Sequence, residues 1–346
     1  MSHYKPITIV GGGLAGLALG IGLRQRDVPV TIFEAGKYPR HRVCGEFISG
    51  RGQRSLARLG LREKLIVAGA RIAETASFFS GKISSPIKPL PSPALCLSRF
   101  ILDTLLATEF RILGGDLRPS SRWNESFGEG IVRATGRRGQ SIANGWRLFG
   151  LKVHARNVRL KADLEMHFIP TGYVGLCRLS DGEVNICGLF RSRTTLPDLS
   201  TNWRNWLTGP AESTLRVRLA PADFDNSSFC SIAGLSLEPN QASAQTECSI
   251  GDSLTMIPPV TGNGMSMAFE SAELSLEPLE LYSTGKISWA QTQQAIAERC
   301  DETFLPRLRW ARFLQAGLFQ PAVRQITLLL GSRFPGFWPL FFSQTR

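Results

Sequence analysis

The chain has 346 residues, 43% of them hydrophobic and 20% charged, a globular composition that excludes a chain too polar to bury a core; its length suits two domains sharing one ligand. Net charge is +12 and only eight of the 40 basic residues are lysine, so arginine sets the balance and favours planar recognition of phosphate or carboxylate. No nucleic-acid reading motif accompanies that charge, so nucleic acid is not an expected partner.

Ile7 to Val10 reads as a short buried strand, Gly11-Gly12-Gly13-Leu14-Ala15-Gly16 as a glycine turn opening a helix through Arg26, and Val28 to Phe33 as a second strand ending at Glu34. This is βαβ grammar for a Rossmann dinucleotide site. Gly11 permits the tight turn, Gly13 lets a pyrophosphate approach the backbone, and Gly16 lets the helix pack on the strands. The amides of Leu14, Ala15 and Gly16 open the helix, where free N–H groups and the dipole favour negative charge. Glu34, at the end of the second strand, is placed to accept hydrogen bonds from both ribose hydroxyls, and an acid there disfavours a 2′-phosphate. Pro6 to Leu23 carries no charge, but its six glycines argue against a membrane or signal segment.

Tyr38 to Arg54 carries Arg40, His41, Arg42, Cys44, Gly45 and Glu46 before a helix to about Leu59. It is too polar to be buried without a partner. Residues 70 to 98 read as short strands broken by Pro86, Pro89, Pro91 and Pro93, after which Ser98 caps a helix from Arg99 to about Phe110. Arg99 near its start faces a phosphate or a flavin edge, or else is a simple surface arginine. Gly130 to Gly136 reads as a buried strand running into a turn.

From residue 146 to 190 strand alternation dominates: Leu148 to His154, Lys161 to Phe168, Tyr173 to Leu179 and Val184 to Phe190, with Asp181-Gly182 as a hairpin turn. Single histidines in such strands are ordinarily packed or solvated. Short helices follow near Trp203 to Leu207 and Ala211 to Arg218, then strands around Ile232 and Ile250. Ile250-Gly251-Asp252-Ser253 and the loop Thr261-Gly262-Asn263-Gly264-Met265 precede a long helix from about Ser266 to Tyr282. Asp252 can bond a hydroxylated chain, and the amides of Gly264 and Met265 again offer a positive helix end.

Seven scattered cysteines without a CxxC pair, and four histidines without HxxxH or HExxH spacing, suggest neither a disulfide framework nor a metal site, and fit a reducing cytoplasm. The stretch from Thr303 to Arg346 has no acid and six arginines (307, 309, 312, 324, 333, 346) among aromatics including Phe334, Phe337, Trp338, Phe341 and Phe342. It reads as helices packed on the first domain with arginines snorkelling to water, or as a peripheral contact with anionic lipid.

These residues together resemble the FAD-dependent oxidoreductases of the p-hydroxybenzoate hydroxylase fold, in the geranylgeranyl reductase-like and flavin-dependent halogenase-like branch. The likeness rests on GGGLAGLALG with Glu34, RHRVCGE, SRFILDTLL, IVRATGRR and GDSLTMIPPVTGNGMSMAFESA, in the family's order over residues 7 to about 273. It implies an α/β fold in which a discontinuous Rossmann-like FAD domain (1–75, 98–145, 240–300) carries an inserted antiparallel β-sheet substrate domain (76–97, 146–239), followed by a C-terminal helical segment (301–346). It implies FAD held by Gly11, Gly13 and Gly16, by Glu34 on the ribose, by Arg42 and Arg99, by Asp252 on the ribityl chain, and by Gly262, Asn263, Gly264 and Met265 beside the ring system. Two departures matter. The Asp-Gly motif linked to FAD and NAD(P)H in the hydroxylases reads Ala134-Thr135-Gly136 here, and the WxWxIP signature of tryptophan halogenases is missing, the segment near Phe168 reading HFIPTGYVGL.

The resemblance implies a monooxygenase or oxidase acting on an aromatic or polyketide-like small molecule, with a reductase of prenyl or lipid double bonds as the alternative and a non-catalytic flavin carrier as a third. NAD(P)H is the candidate transient electron donor for a monooxygenase or a reductase. A carrier-bound or lipid substrate suits the basic aromatic tail. Cys44 and Glu46 are the candidates for the reacting centre, because the loop after the second strand approaches the flavin in this fold. Otherwise Cys44 is a small buried hydrophobe and Glu46 pairs with Arg40 or Arg42.

Overall fold

A computed structural model describes residues 4–81, 83–137, 139, 145–194 and 199–333. Its first unit is a parallel sheet in which Ile7–Val10 pairs with Val30–Glu34 on one side and Ile131–Arg133 on the other, with Asp116–Pro119 beyond Val30–Glu34. The strands are short and their core positions apolar on both faces, as helices on either side require. Leu14–Arg24 is apolar all round and buried at ten of its eleven positions, wedged between the sheet and the long helix Gly264–Ser283.

The expected strand at Ile250 is one parallel bridge, Arg133 to Ser249, secured by Arg133 N–Cys248 O at 2.7 Å and Ile250 N–Arg133 O at 3.0 Å. Beyond Ile250 the chain turns at once into the 3-10 turn Gly251–Ser253. That turn sits beside the Gly11–Gly16 loop because the bridge sets it at the end of the neighbouring strand.

The second unit is a nine-stranded sheet. Its order is Asp223–Ala233, Arg147–Arg156, Val184–Ser192, Gly172–Arg178, Leu164–Ile169, Arg71–Ser80, Lys88–Cys96 and Phe47–Ile48, with Ile83–Ser84 off Arg71–Ser80. The pairings are antiparallel except Leu164–Ile169 with Arg71–Ser80. The hairpin turn falls at Asp181 and Gly182, both at positive φ, the geometry two-residue hairpins prefer.

Residues 70 to 98 correct the sequence reading: they form two long strands rather than several short ones. Pro89, Pro91 and Pro93 all lie on Lys88–Cys96, exposed and next to the sheet's edge, where the pairing slips between Ala73 and Thr75. Proline lacks a ladder donor and is tolerated at such edges and bulges.

One face of this sheet packs Phe149, Leu151, Val153, Val174, Leu176 and Ile186 against the helices Leu199–Thr208 and Thr214–Leu219. The other faces the first unit. The C-terminal part forms Trp289–Leu318, opened by a Ser288–Gln291 capping box, and Pro321–Arg333. Its arginines do not all snorkel: Arg307 turns inward to a bidentate pair with Glu270 at 3.1 and 2.8 Å, and Arg324 is buried. The expected aromatic stretch from Phe334, with Arg346, lies outside the described residues. No described helix is long and apolar enough to cross a membrane.

Candidate functional site

The first glycine turn is shaped by what a side chain would strike. Gly11 has φ +116°, and a Cβ there would stand 2.2 Å from the Ala134 carbonyl oxygen; one on Gly16 would stand 2.0 Å from the Gly11 oxygen. Both are contact positions of the fold, as expected. Gly13 differs. No atom lies within 4 Å of a Cβ built there, and the same holds at Gly264, which opens the second long helix. Two helix N-termini thus face open space with their first amides unshared. Leu14 and Ala15 side chains are core, so only their backbone faces the cleft.

Gly251 joins the two loops: a Cβ there would meet Ala15 Cβ at 2.8 Å, and its amide donates to Ser271 at 3.0 Å. This sets Asp252 at the cleft. No described donor reaches the Asp252 carboxylate, and burial pushes its pKa up against the pull of Arg137 and Arg99. A carboxylate enclosed without donors fits the hydroxyls of a bound polyol chain.

Glu34 is 6% exposed and fully engaged. Its oxygens accept from the Gly12 amide at 2.9 Å, the Gly36 amide at 2.7 Å and Arg40 Nη1 at 2.8 Å, and Arg40 Nη2 adds an ion-pair contact at 2.7 Å. Burial pulls its carboxyl upward, but Arg40, the Gly36 amide and Arg42 outweigh that and hold it at about 2. A ribose meets this acid only in exchange for Arg40. Arg42 stands 4.0 Å from Glu34 and its buried Nε has no acceptor.

Arg99, half-buried, opens the helix Arg99–Ile112. Its guanidinium is clamped to the fully buried Asp103 one turn on, at 2.6 and 2.9 Å. Gly262 lies under the Phe47 ring, Asn263 accepts from Ser49 Oγ at 3.0 Å, and Met265 is buried in the core, so these side chains brace the second loop while its backbone stays at the cleft. Ser266 Oγ adds a bond to the Ser49 carbonyl at 2.7 Å.

Ser49 thereby ties the second loop to the segment bearing Cys44 and Glu46. Glu46 adopts φ +60° and is fully buried. Its carboxylate accepts from the Arg99 amide at 2.9 Å, touches His154 Nε2 at 2.6 Å and lies 3.4 Å from Lys152 Nζ. It therefore pairs with neither Arg40 nor Arg42. The expected arginine partners are drawn off by Glu34, and the large sheet supplies others. His154 Nδ1 reaches Glu183 at 3.2 Å, and burial, which lowers the imidazole pKa, is outweighed by the bonds to Glu183 and Glu46, so the net shift is upward. Cys44 is half-buried beside Arg99, and burial raises its thiol pKa, which disfavours a thiolate nucleophile.

Lys152 is the residue that sequence reasoning missed. It is completely buried, with Nζ 3.0 Å from His41 Nδ1, and burial, Lys152 and His154 push the His41 imidazole down to about 4. The signal was present: Lys152 and His154 stand two apart in an otherwise apolar strand, hence on one face. His41, Glu46 and His154 present ligand atoms within 4.8 Å of one another, the one such group among the described residues; Lys152 already supplies the positive charge there.

Strand register lays out the face turned toward the cleft. One row across the strands reads Ile232, Gly150, Leu189, Tyr173, Phe168; the next reads Cys230, Lys152, Cys187, Gly175, Met166, Phe78; the next His154, Asn185, Cys177, Leu164, Ala76. Cys187, Gly175 and Met166 are half-buried although central in the sheet, and a Cβ on Gly175 would meet only backbone oxygens, at 3.6 and 4.0 Å. These three positions therefore stay accessible on that face, presenting a thiol, a thioether and bare backbone. The segment Val43 to Phe47 borders them, with Cys44 O accepting from Asn185 at 2.9 Å.

A Rossmann unit with two glycine loops, set against a large antiparallel sheet, is the fold of the p-hydroxybenzoate hydroxylase-like flavoproteins. Residues 9–47 match the NAD(P)-binding Rossmann-like domain family. Among solved structures the chain is similar to a flavoprotein/dehydrogenase from Cytophaga hutchinsonii, at 14% identity over 99% of this chain and 92% of that one, with a TM-score of 0.78. It is also similar to P. aeruginosa PqsL in complex with 2-aminobenzoylacetate (15% identity, 92% and 97% coverage, TM-score 0.70) and to the flavin-dependent brominase Bmp2 (15%, 95% and 93%, 0.69). No curated protein matches the sequence.

Proposed function

We propose that this chain is an FAD-dependent oxidoreductase, acting as a monooxygenase or oxidase on an aromatic or polyketide-like small molecule. The observation that carries the reading is the pair of helix N-termini at Gly13 and Gly264, each with open space above it, together with Asp252, a carboxylate that no donor among the described residues reaches. An extended anionic dinucleotide with a hydroxylated linker satisfies all three at once. Gly13, Leu14, Ala15 and Gly16 hold the pyrophosphate through their backbone, Asp252 the ribityl hydroxyls, and Gly264 and Met265 the ring end through their amides. Glu34 takes the ribose when Arg40 releases it. FAD supplies two-electron chemistry when bound.

The accessible face at Cys187, Gly175 and Met166 receives the substrate. The residues around it orient the molecule and exclude water, and the Glu46–His154–Glu183 chain leads from the buried loop to a half-buried carboxylate, so it can hold a proton beside the site. The half-buried Met166 and Cys187 also suit an apolar prenyl chain, which supports double-bond reduction as the second reading.

Absorbance of the purified protein, with and without added FAD, tests the cofactor. A protein that acquires no flavin spectrum ends the proposal. Anaerobic bleaching by NADH or NADPH identifies the electron donor, and oxygen uptake with candidate substrates separates the two readings, since only oxygenation or oxidation consumes it.

A further inference from the structure

Three arginines without an acidic partner among the described residues gather where the last two helices meet the large sheet. Arg191 lies on the same sheet face as Cys187 and Leu189, its guanidinium carbon 4.4 Å from the ring centres of both Trp146 and Phe319. Arg193, exposed, stands 4.5 Å from Trp146. Arg324 is 8% exposed and reaches in from the last helix to donate to Ile169 O at 3.0 Å. Ile169 pairs with Gly172, and Gly172 with Phe190, which places all three in one corner.

Two buried donors in that corner have no acceptor: Arg324 Nε and Gln315 Nε2. The Gln315 amide is oriented by the Tyr173 hydroxyl, which donates to Oε1 at 3.2 Å. A clamp for the helices explains one contact of Arg191, to Phe319 O at 2.9 Å, and one of Arg324, to Ile169 O. It does not explain the remaining donors, since a guanidinium carries five. Nor does it explain like charges collected on aromatic rings with no described carboxylate in reach, an arrangement that costs energy until an anion offsets it.

We infer that Arg191, Arg193 and Arg324, with the Gln315 amide, bind the oxyanion end, carboxylate or phosphate monoester, of an amphipathic small molecule. Leu189 and Tyr173, on the same face, are already packed against Leu318 and Phe319, so the molecule's apolar body extends toward the half-buried Cys187 and Met166. From Arg191 back to Cys187 the strand covers four residues, about 13 Å at roughly 3.3 Å each, which sets the distance between the anionic end and Cys187. Naming that molecule the substrate rests on the oxidoreductase reading; the anion site itself does not.

The test is calorimetric titration of the full chain with decanoate, decyl phosphate and decanol, with the flavin spectrum recorded for every variant. One or both anions should bind about tenfold or more tightly than decanol, as charge-assisted bonds to arginine imply. The preferred anion tells a carboxylic acid from a phosphate ester. Arg193→Gln, on an exposed bend, should reduce the preference, and the Arg191→Gln/Arg193→Gln pair should abolish it. Equal affinity for all three probes overturns the inference. So does a preference that survives the double substitution, or anion dependence seen only with phosphatidylserine vesicles. A protein that selects the anions but takes up no FAD keeps this site and loses the flavoenzyme reading.

Discussion

Arg40 holds Glu34 through both guanidinium nitrogens, at 2.8 and 2.7 Å, while the Gly12 and Gly36 amides occupy the same two oxygens. The acid that marks the end of the second strand is therefore an element of the fold before it is a ligand for a ribose.

Glu34 is held at about 2 against an ordinary value of 4.5. A lowered carboxylate contributes stability above its unfolded pKa and loses it as pH falls toward the folded one, here between about 4.5 and 2. Arg40→Ala should cost roughly 2 kcal/mol at neutral pH and move acid unfolding to higher pH, because the buried carboxylate loses its main cation. Denaturant titrations across pH 2 to 7 check this; an acid limb identical to that of the unsubstituted protein contradicts it.

Gly13 and Gly11 should separate binding from folding. Gly13 has ordinary extended backbone, φ −86° and ψ −170°, and open space above it. Gly13→Ala should leave thermal stability unchanged and weaken FAD binding at least tenfold by blocking the phosphate approach. Gly11→Ala, strained at positive φ and against Ala134, should lower stability by more than about 1 kcal/mol with or without FAD. Melting curves and flavin titration of the two variants give the answer.

Asp252 should show a trade between stability and function. Its folded pKa is raised, so it opposes folding at neutral pH, and the penalty fades as pH falls through the folded value. Asp252→Asn should raise the melting temperature of the FAD-free protein at pH 7, with the gain disappearing at low pH, and should weaken FAD binding. A variant that melts earlier at neutral pH would show that the carboxylate has a structural partner after all.

His154 runs the opposite way. Its raised pKa means that its bonds to Glu46 and Glu183 stabilise fully below about 6.5, and that this is lost as pH rises through the folded value. His154→Gln should cost roughly 3 kcal/mol near pH 6 and progressively less in alkaline solution. Combined with Lys152→Met, the loss should fall short of the sum, because both residues act on the same Glu46 carboxylate. Additive losses would mean that the two do not share it.

The sequence determined the βαβ unit, the two glycine loops and the antiparallel run of strands, because each is a local matter. Glycine density, strand periodicity and capping at Ser98 act over a few residues and leave their mark in order along the chain. It also singled out Gly13 and Gly264, above which the structure leaves open space, and Asp252, which no donor among the described residues reaches.

Only the tertiary structure decided which charges meet. Glu46 faces His154 and Lys152, more than a hundred residues away, because strand register brings that row of the large sheet beneath the loop. Arg99 turned to Asp103 for a local reason that the sequence contained, but the choice between that acid and a phosphate depended on burial. Register and burial are sums over many distant contacts, and a shift of one residue reverses the face of every side chain. That is why the glycine loops were readable in one dimension, while the buried lysine and the arginine corner were not.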